Sequence, residues 1–144
     1  MNISNKELHA DGFERRGTVY PDAATTLRVE IHKDKDVHGF VVYVMVVNHE
    51  FMKAGKTETP FSRRMHGTFN SLKNKMGARA AHPRYQEKTF KEHAQATILA
   101  KQEIELWARN FPSFELMMAK EKELNDKYQG LWTKEGKHRA RGRA

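Results

Sequence analysis

Tyr43, Lys53 and Glu121 are the side chains whose types and spacing point first to chemistry. Tyr43 lies inside the apolar run Phe40 to Val47. Phe51-Met52-Lys53-Ala54-Gly55 follows a turn at Asn48-His49-Glu50, so the two stretches read as a hairpin. With the turn centred near His49, Tyr43 and Lys53 share one parity of side-chain alternation and project from the same sheet face, diagonally placed on adjacent strands. A phenol within reach of an ammonium can do acid–base work, because a neighbouring positive charge favours the phenolate. The plain structural alternative is a core tyrosine beside a snorkelling lysine. Glu121 gives the sharper signal. It falls in the middle of the helical stripe Phe114, Met117, Met118, Leu124 and Tyr128, whereas Glu115, Lys122 and Glu123 face away from it. A carboxylate on an apolar face is costly unless an ion pair or a metal compensates it.

The elements that must position these groups follow from periodicity. Thr59 before Pro60 reads as a helix start, a hydroxyl N-cap ahead of a proline whose missing N–H costs nothing in the first turn. Phe61, Met65, Phe69, Leu72 and Met76 form its buried stripe. At about 100° per residue, Arg64 lies on the flank of that stripe and can reach over the sheet face, while Arg63 points to solvent. A second helix is expected over Phe90 to Ala100 and a third core strand over Glu103 to Arg109, where Ile104, Leu106 and Ala108 alternate. The last helix is capped by Ser113, runs to about Gln129 and stops at Gly130. Upstream, Leu27, Val29 and Ile31 alternate as a strand, and the polar residues before them end in the turn-like Tyr20-Pro21-Asp22. The reading is an α+β chain with a small central three-stranded, mostly antiparallel sheet flanked by helices. It divides into an N-terminal β-containing extension over 1–36, a central domain over 37–133 and a basic tail over 134–144.

A length of 144 residues fits one domain with a modest core. Cysteine is absent, which removes disulfides and thiolate zinc sites, and the eight histidines are scattered from His9 to His138 without a close ligand pair. The 26 Lys and Arg against 18 Asp and Glu leave a net charge of +8, which favours a polyanionic partner. Arg79, Arg84 and Lys88 fall in an irregular basic stretch over 77–89 that reads as a loop facing DNA. Lys137, Arg139, Arg141 and Arg143 make the end of the chain either a phosphate-binding arm or a solubilising tail. Most aromatics sit on core stripes, not on an open sheet face where they would stack RNA bases. The opening residues lack the plan of a secretory signal, and no apolar run approaches the roughly 20 residues that span a bilayer, so a cytoplasmic protein without a membrane partner is expected.

Val41-Val42-Tyr43, followed after the hairpin turn by Lys53-Ala54-Gly55-Lys56-Thr57 and then by an arginine-bearing helix, resembles the GIY-YIG nucleases, especially variants whose second motif begins with lysine. The segment from Glu121 to Thr133 is similar to the glutamate helix of that family and the turn after it. The resemblance spans about residues 37–133 and implies a metal-dependent DNA endonuclease of restriction or phage type. By it, Tyr43 takes the place of the catalytic tyrosine and general base. Lys53 stands where many members carry a second tyrosine, tuning Tyr43, and Lys56 matches a lysine that some repair nucleases use. Counting from Gly55 puts the catalytic arginine at Arg63, whereas the helical face selects Arg64. Glu121 becomes the ligand of one Mg2+ or Mn2+ ion. Sequence specificity would come from the N-terminal extension, the basic 77–89 stretch, the basic tail or a homodimer. The alternatives are a catalytically inactive DNA-binding module and a structure- or single-strand-specific repair nuclease.

Overall fold

The computed structural model describes residues 1–23, 26–32, 36–73 and 90–133. In chain order these form α1 (Asn5–Ala10), β1 (Glu14–Ala23), β2 (Thr26–Ile31), β3 (Phe40–Val47), β4 (Glu50–Thr57), α2 (Phe61–Lys73), α3 (Phe90–Leu99), β5 (Ile104–Phe111) and α4 (Phe114–Tyr128). The strands make one antiparallel sheet of order β2-β1-β5-β3-β4, which leaves β4 at an edge. Alternation along β3 sorts the core into two layers. Val41, Tyr43, Met45 and Val47 face Phe61, Met65 and Phe69 of α2 and Ala94 and Ile98 of α3. Val42, Val44 and Val46 face Leu8 of α1 and Met117, Leu124 and Tyr128 of α4. Cover on both faces explains why β3 is apolar at every position.

The sheet has five strands where three were expected, because β1 and β2 pair into it. Ser4 and Glu7 close a reciprocal capping box on α1, and β1 inserts between β2 and β5. The β3–β4 hairpin turns at Asn48 and His49, both with positive φ (49° and 63°), as a two-residue turn matched to strand twist requires.

Two helix details differ from the periodicity reading. Thr59 does not cap α2; its hydroxyl pairs with that of Thr57 at 2.8 Å. The cap comes from Asp36, whose carboxylate accepts from the Ser62 N–H at 2.9 Å and the Ser62 hydroxyl at 2.7 Å, and Phe61 N–H donates to the Val37 carbonyl. Aspartate ranks above threonine as an acceptor of helix-start donors, and its charge suits the positive end of the dipole. On α4, Ser113 is the N-cap and Gln129 the left-handed C-cap. Its stripe, however, is narrower than expected. Met117, Leu124, Asn125 and Tyr128 are buried, while Phe114 and Met118 are exposed, Phe114 resting edge-on against Phe40. Among the described residues no helix is long and apolar enough to cross a membrane.

Candidate active site

Tyr43 stands opposite Gly55 across the β3–β4 ladder. The Tyr43 ring lies where a β-carbon on Gly55 would be, so only glycine lets the phenol pass over the backbone of the edge strand. There the hydroxyl comes within reach of the charge and the N–H groups of Arg64 of α2. Burial pushes the Tyr43 phenol above its ordinary value; the charge and hydrogen bond of Arg64 oppose that rise, and the negative charge of Glu121 adds to it.

Lys53 pairs with Met45, two places along from Tyr43 on the same face. The sequence assigns it to lowering the phenol, yet the cation acting on Tyr43 is Arg64, and Lys53 sets its ammonium over the Phe90 ring, 4.7 Å from the centroid. Arg63, Arg64, Lys53 and Tyr43 line one cleft of about 600 Å3 together with Thr59, Gly67, Thr68 and Phe90. Both arginines are exposed on α2, and Arg64 is the one that reaches the phenol.

Lys56 and Glu121 come from the other side of the sheet. Lys56 pairs with Val42 and so faces α4. Its Nζ lies 3.3 Å from Glu121 Oε1, an ion pair in which the glutamate side chain is 14% exposed and the lysine 37%. Glu121 shares its helical face with Met117, Leu124 and Tyr128. One turn on, buried Asn125 acts as a substitute strand, accepting from Ala54 N–H at 2.9 Å and donating to Ala54 C=O at 3.0 Å. The chain leaving α4 continues that cover, because Gly130 packs directly on the Met52 carbonyl and Trp132 N–H donates to it. The covered stretch of β4 therefore ends one residue before Gly55 among the described residues, and groups from both faces converge at the strand's open end.

Asn125 was not singled out by sequence reasoning, although its place one turn after Glu121 on a buried stripe marks a polar group in need of partners. Asp36 escaped it as well, since a cap 26 residues from the helix it serves has no local signature. Arg79, Arg84, Lys88, Lys137, Arg139, Arg141 and Arg143 lie outside the described residues. Among the described residues no cluster of three or more His, Asp or Glu side chains could hold a metal ion.

These features define an α+β domain whose antiparallel sheet is covered on both faces and carries a tyrosine–arginine contact and a lysine–glutamate pair at one edge. The fold is similar to that of bacteriophage T4 EndoII. A mutant of that protein matches with a TM-score of 0.63 at 11% identity, over 89% of this chain and 96% of that one. The restriction endonuclease HPY188I in complex with product DNA matches with a TM-score of 0.51 at 16% identity, over 78% of this chain and 63% of that one. At such identities the likeness is one of fold. No protein-family model and no curated protein matches the sequence.

Proposed function

We propose that this chain is a DNA endonuclease of the GIY-YIG type, restriction- or phage-like, that hydrolyses a backbone phosphodiester at the open end of β4. The observation that carries the reading is the Tyr43–Arg64 contact over Gly55, facing the Lys56–Glu121 pair across the edge strand. Beside a phosphate, a buried phenol next to a guanidinium joins a proton acceptor to a cation. Two fold neighbours are themselves endonucleases, and the +8 charge suits a polyanion.

In its phenolate form Tyr43 takes the proton of the attacking water as the water oxygen bonds to phosphorus and the P–O bond opposite it breaks, the leaving oxygen departing with its electron pair and taking a proton from solvent, and Arg64 makes charge-assisted hydrogen bonds to the phosphate as negative charge builds. Lys53 adds positive charge to the same cleft. Glu121 is the metal ligand. Lys56 takes its Oε1, and its other oxygen makes no hydrogen bond among the described residues. One free carboxylate oxygen fits Mg2+ or Mn2+, which keeps most of its water and takes further ligands from phosphate. When bound, the ion supplies Lewis-acid stabilisation of the phosphate and the departing oxygen. Arg79, Arg84, Lys88 and the tail residues Lys137, Arg139, Arg141 and Arg143 contact phosphates farther along the DNA.

Purified protein incubated with plasmid, duplex and single-stranded DNA, with and without magnesium, tests this directly. Tyr43→Phe should bind duplex but lose cleavage. For the parent, kcat/KM should climb with pH through the neutral range without a plateau below about pH 10, since burial raises the phenol above its ordinary value. The second reading, an inactive DNA-binding module, is favoured by the Lys56–Glu121 pair, which compensates Glu121 without a metal; binding without any magnesium-dependent nicking would establish it.

A further inference from the structure

Gly67 is the residue of α2 that folding does not explain. It sits in the middle of a 13-residue helix, where glycine is among the least favourable choices. Beyond its own turn of helix, a β-carbon there would meet no atom of the described residues within 4 Å, and no positive φ demands a glycine. Its surroundings supply another reason. At about 100° per residue, Arg63, Gly67, Arg64 and Thr68 follow one another around one flank of α2, and all four line the cleft that holds Tyr43. Arg64 is committed to the phenol. Arg63, one turn before Gly67, is exposed and has no ion-pair partner among the described residues. No acidic side chain lines the cleft among the described residues.

We infer that the DNA strand being cut crosses α2 at Gly67, its sugar-phosphate backbone against the helix, with the phosphate next to the scissile one held by Arg63. The missing side chain is the clearance for that strand, as glycine provides wherever a ligand backbone approaches closely. Arg63 is then a positioning residue that touches substrate away from the reacting atoms. This rests on the endonuclease reading and adds to it the path of the strand.

Three measurements test it on the full chain, made on the parent and on each variant: melting, binding of a fluorescent DNA duplex in chelator over a salt series, and nicking kinetics in magnesium. Gly67→Ala should melt about 3 °C higher than the parent, because only helix propensity changes. Gly67→Gln should melt at or above the parent yet bind duplex about tenfold more weakly, the low end of the cost of steric overlap, with the loss in KM and kcat retained. Arg63→Gln should reduce the log-log salt slope by about 0.9, one phosphate contact, again with kcat retained. A Gly67→Gln protein that binds and nicks like a parent active on DNA overturns this inference alone, as does an unchanged slope for Arg63→Gln. A parent that neither binds nor cuts DNA overturns the endonuclease reading first and this inference with it.

Discussion

Replacing Glu121 by glutamine separates a metal ligand from a structural ion pair, because the two roles predict different losses. The pair is close, 3.3 Å between Lys56 Nζ and Glu121 Oε1, but not sealed, since the lysine side chain is 37% exposed. Its gross attraction is about 5 kcal/mol at an effective dielectric of 20 and about 1.3 kcal/mol in water. Side-chain ordering and partial desolvation reduce the net to about 1 kcal/mol, and Lys56, reaching solvent, rehydrates once its partner is neutral. Glu121→Gln should therefore lower the melting temperature of the apo protein by about 4 °C. Magnesium at ten times its dissociation constant should stabilise the parent by about 1.4 kcal/mol and leave the variant unmoved. Cleavage should fall about a thousandfold, the several kcal/mol of transition-state stabilisation that a lost metal removes. Melting curves with and without magnesium, beside one nicking assay, read all three quantities. A variant that melts far earlier, by the 3 to 5 kcal/mol typical of a broken buried pair, yet cuts DNA at the parent rate would refute the metal-ligand assignment and the main chemical support for an endonuclease.

Gly55→Ala places a β-carbon inside the volume of the Tyr43 ring, so it should cost about 1 to 3 kcal/mol in stability and, by displacing the phenol, about a hundredfold in kcat; a melting curve and single-turnover rates check both. Asp36→Ala removes the cap of α2 and should cost about 1 to 2 kcal/mol at neutral pH. Partial burial raises the Asp36 carboxyl, but hydrogen bonds from the Ser62 hydroxyl and N–H and the Val37 N–H outweigh it and hold the group below its ordinary value. The stabilisation is therefore present above the unfolded value, about 3.9, and is lost as pH falls through the lower folded value. The melting difference between parent and Asp36→Ala should narrow over that acid window.

Where residues report locally on their own burial, the sequence was legible. The apolar run of β3, the alternation of β5, the Phe61, Met65 and Phe69 stripe of α2 and the Ser113 cap of α4 all stand where periodicity put them. β1 was not legible. Glu14-Arg-Arg-Gly-Thr-Val-Tyr-Pro-Asp-Ala23 carries a proline and a glycine, and Val19 is its one apolar side chain in the main core cluster. It is a strand because it pairs on both sides, and Pro21 is tolerated because the pairing with β5 ends at Val19, leaving no partner there for the N–H that proline lacks. At the site, parity was enough to put Tyr43 and Lys53 on one face. It also sends Lys56 to the opposite face, so its union with Glu121, 65 residues away, needed the position of α4. The path of Arg64 to the phenol likewise depends on α2 lying over Tyr43, a tertiary fact.

The edge of β4 explains why groups from opposite faces can act as one site. In the middle of a sheet the backbone separates its two faces by the width of the layer, and Tyr43 and Glu121 would have no influence on each other. At an edge, a ring lying over a glycine brings its hydroxyl to the rim, and Glu121 bears on the proton affinity of Tyr43 from the far side. An open edge, however, is prone to pair with other chains. Here the cover stops short of the site: Asn125 and the Gly130–Trp132 segment take the outward groups of Ala54 and Met52, and the adjoining Gly55 and Lys56 carry the functional contacts. Asn125 belongs to the same helix as Glu121, so the bond pair that holds the strand also sets the distance from Glu121 to Lys56. On the other face, Asp36 anchors the start of α2 two residues before Arg64. Arg64 and Glu121 thus each sit within about one helical turn of a hydrogen-bonded anchor, and such support holds a guanidinium and a carboxylate in place before a phosphate arrives.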